Sequence, residues 1–281
     1  MTHDHDGPHE HDLGLSHDLP TLLNRRRALG LLTGAGLAAA LAACSGSDSS
    51  GSPATTSTPS TSASTSAGST STVTDEVPEE TGGPFPGDGS NGVNVLTESG
   101  VVRSDIRSSF GGTSTTAEGV TAKLEMTIFD LSGSAVTPYE GAAVYVWHCD
   151  REGRYSMYDS EIADENYLRG VQAADTDGKL VFTTTFPGAY SGRWPHIHFE
   201  VYKTAADAQK TTGKLRTSQI ALPEDVCKQV YATSGYEQSV TNLSQTSLDS
   251  DMVFSDGYSL QMATVTGTPD DGLTIQLNVA V

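Results

Sequence analysis

The stretch that decides the fold reads Pro195-His196-Ile197-His198-Phe199-Glu200-Val201-Tyr202. Successive side chains of a β-strand point to opposite faces, so this alternation predicts a strand with one face in a core. Ile197, Phe199 and Val201 would face that core. His196 and His198 would lie on the other face, roughly 6.5–7 Å apart along the strand, where both imidazoles can reach one metal ion.

The two-residue period recurs through the last two hundred residues of the chain. Further strands are predicted at residues 120–128, 142–148, 180–185, 215–222, 258–266 and 273–281. Only residues 223–231 have a helical character, with proline at the start and acidic residues in the first turn. The pattern predicts an all-β fold, an antiparallel β-sandwich with few short helices.

The first 43 residues predict a signal peptide of the twin-arginine type. Arg25-Arg26-Arg27 precede an apolar run rich in alanine and leucine, which is shorter than a membrane span of about 20 residues. Leu41-Ala42-Ala43-Cys44 resembles a bacterial lipobox, which predicts a lipid anchor on Cys44. An ordinary signal peptide cut nearby is the alternative.

Residues 44–76 predict a disordered linker, because serine and threonine dominate and little apolar surface is available to offset the entropy of ordering. Residues 77–281 would form the globular domain. Signal, lipobox and linker together predict an exported domain that works outside the cytoplasm or at the cell surface.

Charge and cysteine content restrict the partners. The net charge of −19 argues against nucleic acid and against anionic lipid surfaces. Cys149 and Cys227 remain after Cys44, and an even pair in an oxidising compartment predicts a disulfide. Two separate buried thiols are the alternative, since sequence spacing does not show proximity.

An ordered set of motifs resembles the intradiol ring-cleavage dioxygenase family, which includes catechol and protocatechuate 3,4-dioxygenases. The set runs through Thr81-Gly82-Gly83-Pro84-Phe85, residues 141–148, Gly153-Arg154-Tyr155, residues 175–178, residues 186–190, Arg193, residues 195–199 and Thr217-Ser218-Gln219. Each motif is weak by itself, whereas their order is specific.

The resemblance implies one non-haem Fe(III) per chain, held by Tyr155, Tyr190, His196 and His198. Hard anionic oxygen donors suit a ferric ion, and imidazole completes the set. It also implies that Tyr190 gives way to a catecholic substrate, which O₂ then cleaves to a muconate-type dicarboxylate. Arg193 would stabilise developing negative charge, and Gln219 would orient a ligand or an oxygen intermediate.

Two other functions fit parts of the sequence. A surface-tethered sandwich module that binds carbohydrate or protein would need the strands but not the four ligands. A cupin-type Fe(II) enzyme would need a carboxylate and a third histidine beside the pair, for which Glu200 and His148 are the candidates. We read His148 as structural.

Overall fold

The computed structural model describes residues 75–281, and within them the chain forms nine strands and three short α-helices. The strands are β1 Thr121–Asp130, β2 Thr137–Pro138, β3 Ala143–Trp147, β4 Arg169–Ala173, β5 Lys179–Thr185, β6 His196–Tyr202, β7 Lys214–Ala221, β8 Thr264–Thr268 and β9 Gly272–Ala280. The helices are α1 Ala205–Gln209, α2 Glu224–Tyr231 and α3 Glu237–Leu243, followed by a 3-10 turn at Phe254–Asp256. The predicted signal peptide, the lipobox and the linker as far as residue 74 lie outside the described residues.

The strands form two sheets, as predicted for an all-β fold. One sheet has the order β4-β3-β6-β7 and is antiparallel throughout. In the other, β1 pairs with β5, β2 and β9, and β9 pairs with β8. The predicted all-β sandwich with few short helices is confirmed, and one strand pair departs from the antiparallel pattern, since β1 and β9 run parallel. They lie far apart in the chain, so no hairpin fixes their relative direction.

The core between the sheets is built from alternate residues of the strands. Ile197, Phe199 and Val201 of β6 are fully buried there, as the alternation predicts. They belong to one apolar cluster with Leu124, Met126 and Ile128 of β1 and with Val144 and Val146 of β3. Burial of such side chains contributes roughly 1.5–3 kcal/mol each.

The outward face of the β4-β3-β6-β7 sheet is covered as well. Tyr145 and Trp147 of β3 pack there in a second cluster with Phe85, Tyr155 and Tyr190. All seven residues of β6 are therefore buried, including its two histidines. The covering residues Phe85, Tyr155 and Tyr190 come from three of the predicted motifs, which therefore meet on this face of the sheet.

Several secondary-structure elements differ from the sequence prediction. The strand predicted at 258–266 begins only at Thr264, and the residues before it form a turn in which Gln261 and Ala263 bond the backbone of Ala221. Strand β4 and helices α1 and α3 were not predicted. Elements of five to seven residues show too few periods for the pattern to separate them from loops.

The predicted disulfide is wrong in the structure, where Cys149 and Cys227 are both free and buried. Cys149 follows β3 in the outer cluster, with its Sγ 3.5 Å from the carbonyl of Gly188. Cys227 lies in α2 and packs into the core between the sheets. Burial raises the pKa of both thiols, so the alternative of two separate inert thiols holds.

Within residues 75–281 no helix is both long and apolar enough to span a bilayer.

Candidate metal centre

Strand β6 presents His196 and His198 side by side on its outward face, as the sequence predicts. Their Nε2 atoms lie 3.0 Å apart, and each residue is 2% exposed. The Nδ1 of His196 is in hydrogen-bond contact with the carbonyl of Trp194. A carbonyl can only accept, so the proton sits on Nδ1 and the Nε2 lone pair faces His198. The ring of Trp147 stacks on His198 at a centroid distance of 4.8 Å.

Burial keeps both imidazoles neutral, which is the form that binds metal. Burial, together with the nearby positive charge of Arg193, lowers the pKa of His196 to about 3. It also holds the pKa of His198 well below its usual range, with contributions from His196 and Arg193.

Two tyrosines complete the cluster from two different loops. The Tyr190 hydroxyl lies 3.3 Å from Nε2 of His196. The Tyr155 ring meets the Tyr190 ring edge-on at a centroid distance of 5.7 Å and the His198 ring at 6.1 Å. Burial, with the neighbouring Tyr190, holds the pKa of the Tyr155 phenol well above its ordinary value. Without a bound cation this phenol therefore keeps its proton.

A glycine lets the two tyrosine loops approach each other. Gly153 has a positive φ of 88°, and a Cβ there would lie 3.2 Å from the carbonyl oxygen of Ala189 and 3.3 Å from Cβ of Tyr190. Any side chain would push the loops apart. This accounts for the glycine two residues before Tyr155.

The four side chains fit a metal ion. Metal–imidazole bonds are about 2.0–2.1 Å long, so two nitrogens bound at a right angle to one ion lie about 3 Å apart. The observed separations of 3.0 Å and 3.3 Å fall near that value. Two phenols and two imidazoles form a hard donor set suited to a ferric ion. Within residues 75–281 no group of three or more His, Cys, Asp or Glu is placed to hold a metal ion.

Arg193 lies beside the cluster in a buried ion pair that the sequence did not reveal. Its Nε lies 3.0 Å from Oδ2 of Asp251, and the two side chains are 1% and 0% exposed. Burial by itself would raise the pKa of Asp251, but the charge and hydrogen bonds of Arg193 and the amide of Trp194 hold it below its usual value. Asp251 belongs to a loop with no recognisable motif, so nothing in the sequence marks it.

Gln219 connects Arg193 to the first motif of the set. It pairs with His198 across the β6–β7 register, and its Oε1 accepts a hydrogen bond of 2.7 Å from Nη2 of Arg193. Its Nε2 donates to the carbonyl of Thr81 at 2.9 Å. Gly83 then lies over the imidazole of His198, where a Cβ would be 3.3 Å from Cε1. The motifs before and after the histidine pair therefore meet at this pair.

A second buried guanidinium, also unpredicted, supports the Tyr155 loop. Arg169 is fully buried and donates to Oγ and the carbonyl of Ser156 and to the carbonyl of Pro86. It thus fastens the segment that covers the site to the residue next to Tyr155. Within the same turn Met157 adopts a φ of 72°, a conformation that surrounding contacts must enforce.

The residues needed for a cupin-type site lie elsewhere. Nε2 of His148 is 2.7 Å from Oγ1 of Thr184, and its Nδ1 is 2.7 Å from the carbonyl of Cys149. Its structural role is as predicted. The carboxylate of Glu200 accepts hydrogen bonds from Lys214 at 2.8 Å and from the hydroxyl of Tyr202 at 2.7 Å.

A cavity of about 610 Å³ lies away from the proposed ligands. It is lined by residues 119–121, Arg151, residues 233–234 and residues 269–272. None of the four proposed ligands lines this cavity, so it is separate from the candidate metal centre.

Comparison with known proteins agrees with the geometry. A family model described as Dioxygenase matches residues 110–196, a span that contains Tyr155, Tyr190 and His196. A chlorocatechol 1,2-dioxygenase from Pseudomonas sp. (strain P51) is 32% identical over 84 residues, covering 24% of this chain and 33% of the relative. The chain thus spans about one third of the length of that curated relative.

A solved intradiol ring-cleavage dioxygenase from Tetranychus urticae has the same fold. It superposes with a TM-score of 0.54 at 24% identity, over 65% of this chain and 87% of that one. The family match and the curated relative confirm the resemblance to intradiol ring-cleavage dioxygenases that the motifs predicted.

Proposed function

We propose that this chain is a non-haem Fe(III) intradiol dioxygenase that cleaves catecholic aromatics with O₂ to muconate-type dicarboxylates. The observation that carries the proposal is the buried cluster that Tyr155, Tyr190, His196 and His198 form from two loops and one strand. Nε2 of His196 lies 3.0 Å from Nε2 of His198 and 3.3 Å from the Tyr190 hydroxyl. A binding module would have no need for this arrangement.

These four residues would hold one iron per chain. An iron held by these residues would supply Lewis acidity toward the two oxygens of a catechol. The donors are matched to this task, because the histidines are already neutral and the Tyr155 phenol loses its proton only when a cation is present.

Tyr190 is suited to exchange a proton with the substrate. At 7% it is the most exposed of the four side chains, and its hydroxyl lies 3.3 Å from Nε2 of His196. Its phenolate can accept a proton from an incoming catechol hydroxyl, since both groups are phenols of similar acidity.

Arg193 supplies a directed donor beside the ligands, and Gln219 helps to hold it there. The guanidinium is held between the carboxylate of Asp251 and Oε1 of Gln219, so it cannot swing away from the site. Negative charge that develops on the ring or its oxygens would be stabilised by this fixed group, an effect usually worth about 3–4 kcal/mol.

We further propose that the domain is exported and lipid-anchored at Cys44. The twin-arginine-type signal and the lipobox support this part of the proposal. Export of a folded protein is compatible with metal loading before secretion.

The test combines three measurements on the purified protein: oxygen uptake, iron quantification and visible spectroscopy. Oxygen uptake is measured with catechol, methylcatechols, hydroxyquinol and protocatechuate as substrates. We expect about one iron per chain, a red-brown tyrosinate charge-transfer band, and a dicarboxylate product. Tyr155→Phe should lose the band and turnover, whereas Tyr167→Phe, a buried tyrosine outside the cluster, should keep both. A colourless wild-type protein that contains no iron and consumes no O₂ would contradict the proposal.

A further inference from the structure

Asp251 is completely buried and accepts hydrogen bonds from two distinct parts of the molecule. Its Oδ2 accepts from Nε of Arg193 at 3.0 Å and from the amide of Trp194 at 2.7 Å. Its Oδ1 accepts from the amides of Val253 and Phe254 at 2.9 Å and 3.2 Å. One carboxylate therefore ties the loop just before β6 to a loop more than fifty residues later.

The two bonds on the β6 side bear directly on the proposed ligands. The amide of Trp194 and the guanidinium of Arg193 are fixed together, and the carbonyl of Trp194 receives the Nδ1 proton of His196. The same guanidinium bonds Gln219, whose neighbour across the strands is His198. Asp251 is thus connected to His196 through Trp194, and to His198 through Arg193 and Gln219.

We propose that Asp251 is a positioning residue that holds Arg193 and the Trp194 backbone in the geometry the metal centre uses. The part of this inference that concerns turnover rests on the proposed function; the part that concerns the pairing does not. Asp251 lies outside residues 110–196, the span that matches the family model, so it is a contribution of this chain's C-terminal segment to the site.

Charge explains why a neutral group cannot replace it. A folded protein is strongly destabilised when a buried guanidinium loses its carboxylate, because the positive charge stays buried without a partner. Removing both partners avoids that cost. Asp251→Asn keeps the shape and the oxygen that the Val253 and Phe254 amides use. It removes the negative charge that orients Arg193.

A merely structural alternative is that Asp251 only anchors its own loop through Val253 and Phe254. The two roles differ in how the Asp251 and Arg193 substitutions combine. If Asp251 acts through Arg193, its loss has a smaller effect once the guanidinium is absent. If it only anchors the loop, its loss has the same effect with or without Arg193.

The experiment compares the full chain with Asp251→Asn, Arg193→Met and the double variant, and uses Asp256→Asn as an exposed control in the same loop. In the metal-free proteins we expect Asp251→Asn to lower the urea midpoint and the double variant to regain part of it. A double variant that unfolds at lower urea than Asp251→Asn would overturn the pairing. If Asp251→Asn is too unstable to purify, recovery of soluble protein in the double variant gives the same answer.

Kinetics then test the positioning. In iron-loaded protein we expect Asp251→Asn to reduce kcat by about 100-fold, as misplacement of a charge-stabilising group does, with a much smaller change in KM. We expect Asp256→Asn to retain wild-type kcat. The double variant should be no slower than Arg193→Met. Losses that multiply would refute the positioning role. An inactive wild type would refute the proposed function instead, while the urea comparison would still decide the pairing.

Discussion

His148→Gln should change how the stability of the metal-free protein depends on pH. His148 is fully buried between Thr184 and the carbonyl of Cys149, and burial lowers its pKa from 6.5 to about 4. Above pH 6.5 the residue is neutral in both the folded and the unfolded state. Below that pH the unfolded chain takes up a proton that the folded chain does not, so the contribution to stability falls progressively until about pH 4.

The size of this effect follows from the two pKa values. Each unit of difference is worth about 1.4 kcal/mol, so His148 costs about 3 kcal/mol when the fall is complete and about 2 kcal/mol between pH 7.5 and pH 5. Other groups titrate over the same range, but they are present in both proteins. The difference between wild type and His148→Gln therefore isolates the one imidazole.

The assay is urea unfolding of chelator-treated protein at several pH values from 7.5 to 5. We expect the wild type to lose about 2 kcal/mol more than His148→Gln over this range, whatever the absolute stability of the variant. Two profiles that stay parallel within the error of the extrapolation would show that His148 is not buried as a neutral ring.

Two further predictions concern the cover of the site and the anchor. Gly83→Ala should destabilise the protein and lower its iron content, because a Cβ there would lie only 3.3 Å from the His198 imidazole. The control is Gly92→Ala, which also has a positive φ but has open space around it, so it should cost only about 1 kcal/mol of strain and leave the iron content unchanged. Urea unfolding and iron analysis measure the two effects. Cys44→Ala should move the protein from the membrane fraction to the soluble fraction, and equal membrane retention of both forms would contradict the lipid anchor.

Much of the fold followed from periodicity. The alternation through 195–202 predicted both the strand and its two faces, and the runs at 120–128 and 273–281 predicted β1 and β9. What periodicity did not predict is that those two strands run parallel. Strand direction depends on how the intervening chain returns, and no local pattern encodes that path.

The residues of the candidate site were likewise predicted only in part from the sequence. The types and order of Tyr155, Tyr190, His196 and His198 were recognisable because each lies in a motif, and the structure brings all four together. Asp251 and Arg169 carried no signal, since a lone aspartate or arginine in a sequence is most often a solvated surface group. Only burial and the partners of each side chain reveal their importance.

The two cysteines show where a prediction from sequence failed. Their even number predicted a bond between Cys149 and Cys227, yet one lies in the outer cluster and the other in the core between the sheets. Count and compartment do not specify distance, and a disulfide requires Cα atoms within about 7 Å.

The order of residues alone determined which side chains β6 offers to each of its faces, because a strand repeats every two residues wherever it lies. Tertiary structure decided which distant groups meet them: Tyr155 and Tyr190 beside the histidines, and the carboxylate of Asp251 behind Arg193. Such contacts depend on loops that close over tens of residues, and they form only when two sheets and their covering segments pack together.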